Sequence, residues 1–227
     1  MPPMLNAEKL AYWYLRLNGF MTIENFILHD KSTKGIAQRT DADIYGVRFP
    51  FREELDMPDD EPFRTQRDKP LFIIAEVKSG ECKLNGPWTD SGKENIQYVL
   101  RAIGAFEPSI IEEVAAALYK GYMYEDQQRK IELFAIGSRL SQEYLAERPE
   151  LKQMLFRDMT QFIYKRFREF RMQKRDHKQW DRVGQYLYAM TEHVQEAVFV
   201  AGILREAGLE GRSEGWSSPD ATTETNR

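Results

Sequence analysis

The chain has 227 residues, 42% of them hydrophobic and 30% charged, with a formal net charge of -4. These proportions suit a folded domain with a real core, and the acidic balance excludes a uniformly basic nucleic-acid coat while leaving room for a local basic patch. A single cysteine, Cys82, excludes an internal disulfide framework and a Cys-x-x-Cys metal knuckle, and three scattered histidines (His29, His177, His193) argue against a His-rich zinc site.

The opening MPPMLNAEKLAYWYL lacks the basic-then-apolar profile of a secretory signal, and no run approaches ~18 apolar residues, so a soluble cytoplasmic protein is expected. Asn6 is placed to cap a helix over about Ala7 to Asn18, and Gly19 to stop it. A strand is predicted at about Thr22 to His29, then a polar loop, then a second strand in TDADIYGVRF, 40 to 49. Residues Arg52 to Lys69, rich in Pro, Asp, Glu and Arg, read as a loop insertion. LFIIAEVK, 71 to 78, is the strongest strand signal. Helices over about Ser91 to Phe106 and Ile110 to Lys120 lead to another buried strand, 129 to 138, able to pair with the GYMYED before it. Beyond Ser141 the periodicity is helical almost to Leu209, and the small, polar residues 211 to 227 are expected to be a disordered tail. The order is that of an α/β protein with a helical C-terminal third.

Two of these strands carry charge against expectation. Side chains alternate along a strand, so Glu76 and Lys78 project to one side at the end of an otherwise apolar run. In the preceding strand Asp41, Asp43, Tyr45 and Val47 share a face, although Asp is depleted in strands because its side chain competes for backbone hydrogen bonds. If the two strands are neighbours, Asp43 and Glu76 converge. Two close carboxylates repel unless a cation joins them, and Mg2+ favours one or two carboxylates, a carbonyl, waters and phosphate oxygens.

Asp43 followed by Glu76-Val77-Lys78 after an apolar strand resembles the PD-(D/E)xK nuclease superfamily, the restriction-endonuclease-like fold. Glu8 on the first helix matches a glutamate that members often carry there, and Gln97 in KENIQYVLRAIGAF, with Asn95 and Arg101 nearby, matches a glutamine on the helix after the third strand. The resemblance covers residues 5 to 140. Ala42 stands where the proline of the name would be, and the 52 to 69 insertion is long for the family. It implies a restriction-endonuclease-like core over 1 to 140, with a central mixed sheet flanked by helices, and a helical extension over 141 to 210 packed on it. It also implies Mg2+- or Mn2+-dependent hydrolysis of phosphodiester bonds, most simply in DNA, in repair, recombination or defence. Asp43, Glu76 and the Val77 carbonyl would bind the ion, with Glu8 reaching it through water or binding a second one. Lys78 would handle the attacking water, and Gln97 would orient the site.

For the nucleic acid the best candidate is 156 to 182, with nine basic residues against four acidic ones, a net of +5. On one helix, Phe156, Met159, Ile163, Phe167 and Phe170 would form the core stripe, with Arg168, Arg171, Arg175, Lys178 and Arg182 on its flank. That flank is either a solvated face or a ridge that contacts phosphates. A homodimer or a larger nucleoprotein complex stays open. So do two other readings: a catalytically silent nucleic-acid-binding or assembly subunit of the same fold, and a structural α/β protein in which Glu76 and Lys78 only form a salt bridge.

Overall fold

A computed structural model describes residues 4–29, 38–54, 56–64 and 68–210. Helix α1 (Ala7–Leu17) begins where the Asn6 side chain accepts the Lys9 N–H at 2.8 Å, and ends before Gly19, whose φ of +82° suits glycine. Strands β1 (Met21–His29), β2 (Gln38–Arg48) and β3 (Leu71–Val77) follow. The segment between β2 and β3 has the predicted irregular character, with one 3-10 turn at Glu61–Phe63. It is not a solvated flap, because Phe63 is fully buried, 5.0 Å from the Phe20 ring.

After β3 come a short helix α2 (Gly86–Thr89), then α3 (Asn95–Ile103), α4 (Ile111–Gly121), β4 (Met123–Glu125) and β5 (Lys130–Gly137). The single helix expected over 91 to 106 is therefore broken at its start. A 3-10 turn at Ser91–Lys93 runs into Glu94, left-handed with φ 51°, and only then does α3 begin. The rest comprises α5 (Gln142–Glu147), β6 (Lys152–Leu155), α6 (Phe156–Glu169), α7 (Arg182–His193) and α8 (Glu196–Glu206).

The six strands form one open mixed sheet in the order β1-β2-β3-β5-β4, with β6 also paired to β5. β1, β2 and β3 are antiparallel, and β3 and β5 are parallel, joined by a crossover through α2, α3 and α4. The far side of β5 is shared: β4 pairs antiparallel with its first half and β6 parallel with its second. Helical periodicity was expected throughout 141 to 209, yet 152–155 is a strand that completes the sheet. Its four residues are all half-buried and too few for a period to show.

Alternation along β3 divides the core. Leu71, Ile73, Ala75 and Val77 face α1, α6, α7 and α8, while Phe72 and Ile74 face α2, α3 and α4. Among the described residues no helix is long and apolar enough to cross a membrane. The tail over 211 to 227 lies outside the described residues.

Candidate active site

The β2–β3 ladder runs from Arg48 opposite Leu71 to Ile44 opposite Ala75. One step further it would set Asp43 opposite Glu76, but the backbone ladder stops there. Instead the Asp43 Oδ2 accepts the Val77 N–H at 2.7 Å. This explains an aspartate in a strand: its carboxylate replaces a backbone acceptor where the two strands part. The other side of β2 is irregular at the same place. The β1–β2 ladder pairs Glu24 with Ile44 and Phe26 with Ala42, skipping Asn25 and Asp43, and Asn25 has φ 50°. Ile44 belongs to the core on the α1 side and Ala42 to the core on the other side. β2 thus turns over at Asp43.

Glu76 is only 4% exposed. Its Oε1 holds the Lys78 ammonium, and its Oε2 accepts the Trp88 indole N–H at 2.8 Å. Burial raises the Glu76 carboxyl above its ordinary range; Lys78 opposes the rise, and the nearby charge of Asp43 reinforces it. Lys78 remains about one-third exposed, and its backbone N–H donates to the Ile136 carbonyl at 2.9 Å, which ties the end of β3 to β5. The turn after it is fixed as well. Ser138 N–H donates to the Gly80 carbonyl at 2.7 Å, and a Cβ on Gly137 would lie 2.7 Å from that same oxygen. Only glycine at 137 allows so close a backbone approach.

Two other buried carboxylates show what structural compensation looks like in this protein. Glu132 on β5 is held by Lys130 and Lys152, each at 2.7 Å. Asp59 in the insertion is held by Arg48 and by Arg52, the latter at 2.8 Å. Each has two cations. Among the described residues the cation paired with Glu76 is Lys78, and the charge of Asp43 acts on it as well.

The remaining candidates sit on the helices that flank the sheet. Glu8 occupies the first turn of α1, where a carboxylate favours the helix N-terminus, and α1 packs on the opposite face of the sheet from Glu76. Gln97 is buried on the same side as Glu76 but donates its amide to Glu112 Oε2 at 3.2 Å, while Arg101 holds Glu112 Oε1 at 2.8 Å. It thus ties α3 to α4 and lines a hollow of about 420 Å³ with Thr89, Tyr119 and Lys120. The side chain of Asp41 lies outside the described residues.

The basic stretch is not one helix. α6 ends at Glu169, and the chain turns before α7 begins at Arg182. Arg168 donates to the Thr191 carbonyl at 3.1 Å and Arg171 to the Tyr188 carbonyl at 3.3 Å, so both cap the end of α7. Arg171 also stacks on Tyr188, 4.4 Å from the ring centre, and pairs with Glu192. Arg175 and Lys178 lie in the exposed turn, Arg175 at 3.9 Å from Asp176.

Trp88 was not anticipated. A buried indole requires an acceptor, and the nearest buried acidic residue earlier in the chain is Glu76, so the signal was present in the type of residue.

The chain matches no protein-family model, no curated protein and no solved structure. Among the described residues no group of three or more His, Cys, Asp or Glu side chains could hold a metal. The oxygen donors that the side chains bring to this site are the carboxylates of Asp43 and Glu76. Such oxygen donors suit a hard cation that keeps several waters and takes further oxygens from a phosphate.

Proposed function

We propose that the protein is a metal-dependent nuclease that hydrolyses phosphodiester bonds, most simply in DNA, on a restriction-endonuclease-like sheet. One observation carries this reading: the buried Glu76 carboxyl is raised by burial and by the charge of Asp43, whose own carboxylate is anchored at the end of the same strand by the Val77 N–H. Asp43, Glu76 and the Val77 carbonyl would hold Mg2+ or Mn2+. When bound, the ion would polarise the scissile phosphate and acidify a water. Asp43 is fixed by the Val77 N–H, which prevents the two strand ends from drifting apart. Lys78, partly exposed on the same face, is placed to orient the attacking water and to stabilise charge developing on the phosphate. Neither Glu8 nor Gln97 is needed for these steps. Arg175 and Lys178, in the turn between α6 and α7, have the exposure that phosphate contacts require, as do Arg157, Lys165 and Arg182, and such contacts carry no sequence information.

A second reading draws on a different fact. Both oxygens of Glu76 already have protein partners, Lys78 and Trp88, as they would in a silent subunit that kept the fold and binds nucleic acid without cutting it. The test uses plasmid and single-stranded DNA with Mg2+, Mn2+ or EDTA, alongside Glu76→Ala and Lys78→Ala. Cleavage that requires metal and disappears in both variants is the expected result. Salt-sensitive binding that survives both changes, without cleavage of any substrate, would establish the silent subunit instead. Absence of both activities leaves a structural protein.

A further inference from the structure

We infer that Trp88 is a positioning residue of the metal site: its indole fixes the Glu76 carboxylate, so that Lys78 is the partner that can move. The inference rests on the nuclease reading and goes beyond it, because nothing in the acid pair itself calls for a tryptophan.

The two partners of Glu76 differ in kind. Trp88 is 2% exposed and sits in α2, whose turn is closed by its own N–H donating to the Asn85 carbonyl at 2.9 Å, with Pro87 at its start. Its ring is packed in the core beneath α3 and α4, so the indole has no other position to take. An indole nitrogen can only donate, and it donates to Oε2 at 2.8 Å, which sets the plane of the carboxylate. Lys78 reaches Oε1 from a flexible stem that is about one-third exposed. Its ammonium can leave Oε1 for water or a phosphate oxygen, whereas the indole cannot leave Oε2. A carboxylate held at one oxygen by a rigid donor and at the other by an exchangeable one presents that second oxygen to a cation in a preset direction. Hydrogen bonds from outside the ligand shell commonly set affinity in this way.

The test is Mn2+ binding to the full chain, followed by the electron paramagnetic resonance signal of free Mn2+, in the wild type, Glu76→Ala and Trp88→Phe. The wild type should bind an ion that Glu76→Ala loses, and Trp88→Phe should bind it roughly 10–100-fold more weakly. Cleavage by Trp88→Phe should recover at high Mn2+ with an unchanged KM for DNA, which a loosened fold would not do. Equal affinity in Trp88→Phe and the wild type would overturn the role of Trp88 and leave the nuclease reading standing. No Glu76-dependent binding in the wild type would overturn that reading, and this inference with it. If Trp88→Phe does not fold, the indole N–H resonances of the four tryptophans decide the matter in the wild type. One of them should shift on addition of Mg2+ and be displaced in Glu76→Ala; if none responds to the ion, Trp88 does not position the site.

Discussion

The seam between β2 and β3 and the basic stretch after β6 are both rich in charge, but they use it in opposite ways. In the basic stretch Arg166, Arg168, Arg171 and Lys174 are engaged by the fold. Arg166, 2% exposed, donates to the carbonyls of Leu17 and Pro58, lies over the Phe162 ring at 4.9 Å and so clamps α1 and the insertion onto α6. Arg168 and Arg171 close the last turn of α7. At the seam, Glu76 is paired with Lys78 and feels the charge of Asp43, and burial raises its carboxyl. A density of charge in a sequence therefore says little about function. What distinguishes a candidate site is a buried acid whose titration its surroundings perturb.

The strongest test of that contrast sets Glu76→Ala against Arg171→Ala. The first should lower metal-dependent cleavage on the order of a thousandfold or more, as loss of a group acting on transition-state charge does. The second should leave kcat intact and reduce stability by about 1 kcal/mol, through one lost carbonyl contact and one stacked ring. Steady-state kinetics and urea unfolding measure the two effects. Equal losses of kcat would dissolve the distinction between the regions.

Arg166→Met probes the structural side more severely. It keeps an apolar stem over Phe162 but strands the Leu17 and Pro58 carbonyls in the interior, at a cost of about 2–4 kcal/mol in urea unfolding. Part of this is offset, because burial already holds the Arg166 guanidinium below its ordinary pKa, a sign that its charge is costly to keep there. A neutral result would mean that this clamp, too, is dispensable.

The seam should behave in the reverse sense. Folding places Glu76 where burial and Asp43 raise its pKa, so the folded protein binds that proton more tightly than the unfolded chain. The stability this contributes is complete below the ordinary glutamate value of 4.5 and is lost as pH rises through the raised folded value. Glu76→Gln keeps an oxygen for the Trp88 indole and removes the charge. In thermal melts without divalent metal it should match the wild type at low pH and gain on the order of 2–4 °C at neutral pH. A residue that weakens the fold while it enables the chemistry is expected at a site and not in a clamp. A loss of stability at neutral pH would instead make Glu76 a structural anchor held by Lys78 and Trp88.

These contrasts also show what could be read before any coordinates. The α/β class, the first helix with its Asn6 cap, and the strands around Asp43, Glu76 and 130–137 were legible, because period, capping chemistry and β-branched runs are local signals. So was the irregular insertion, but not Phe63 as a core residue within it, since a single buried aromatic leaves no periodic trace. β6 was hidden among helical neighbours because its pairing with β5 is set by long-range contacts. The basic flank was misread for a related reason. A flank of Arg168, Arg171, Arg175, Lys178 and Arg182 assumes one continuous helix, and the turn after Glu169 moves Arg175 and Lys178 off the line of Arg168 and Arg171. Which cations meet carbonyls depends on where α7 ends, and no local pattern in 156 to 182 encodes that.

The smallest expected effect belongs to the exposed turn. If duplex DNA runs past Arg175 and Lys178, each phosphate contact releases counterions, and neutralising both residues to Gln should reduce the slope of log affinity against log salt by about 2. The fall in affinity itself would be modest at physiological salt and the same for unrelated sequences. Neutralising Arg168 and Arg171 should leave that slope unchanged and appear only as lost stability, because their guanidinium groups are already engaged with the carbonyls at the end of α7. Fluorescence anisotropy of a labelled duplex over a salt series separates the two pairs. A slope that responds to Arg168 and Arg171 but not to Arg175 and Lys178 would mean that DNA binding pulls those arginines off α7, and the division between structural and available charge would have to be drawn elsewhere.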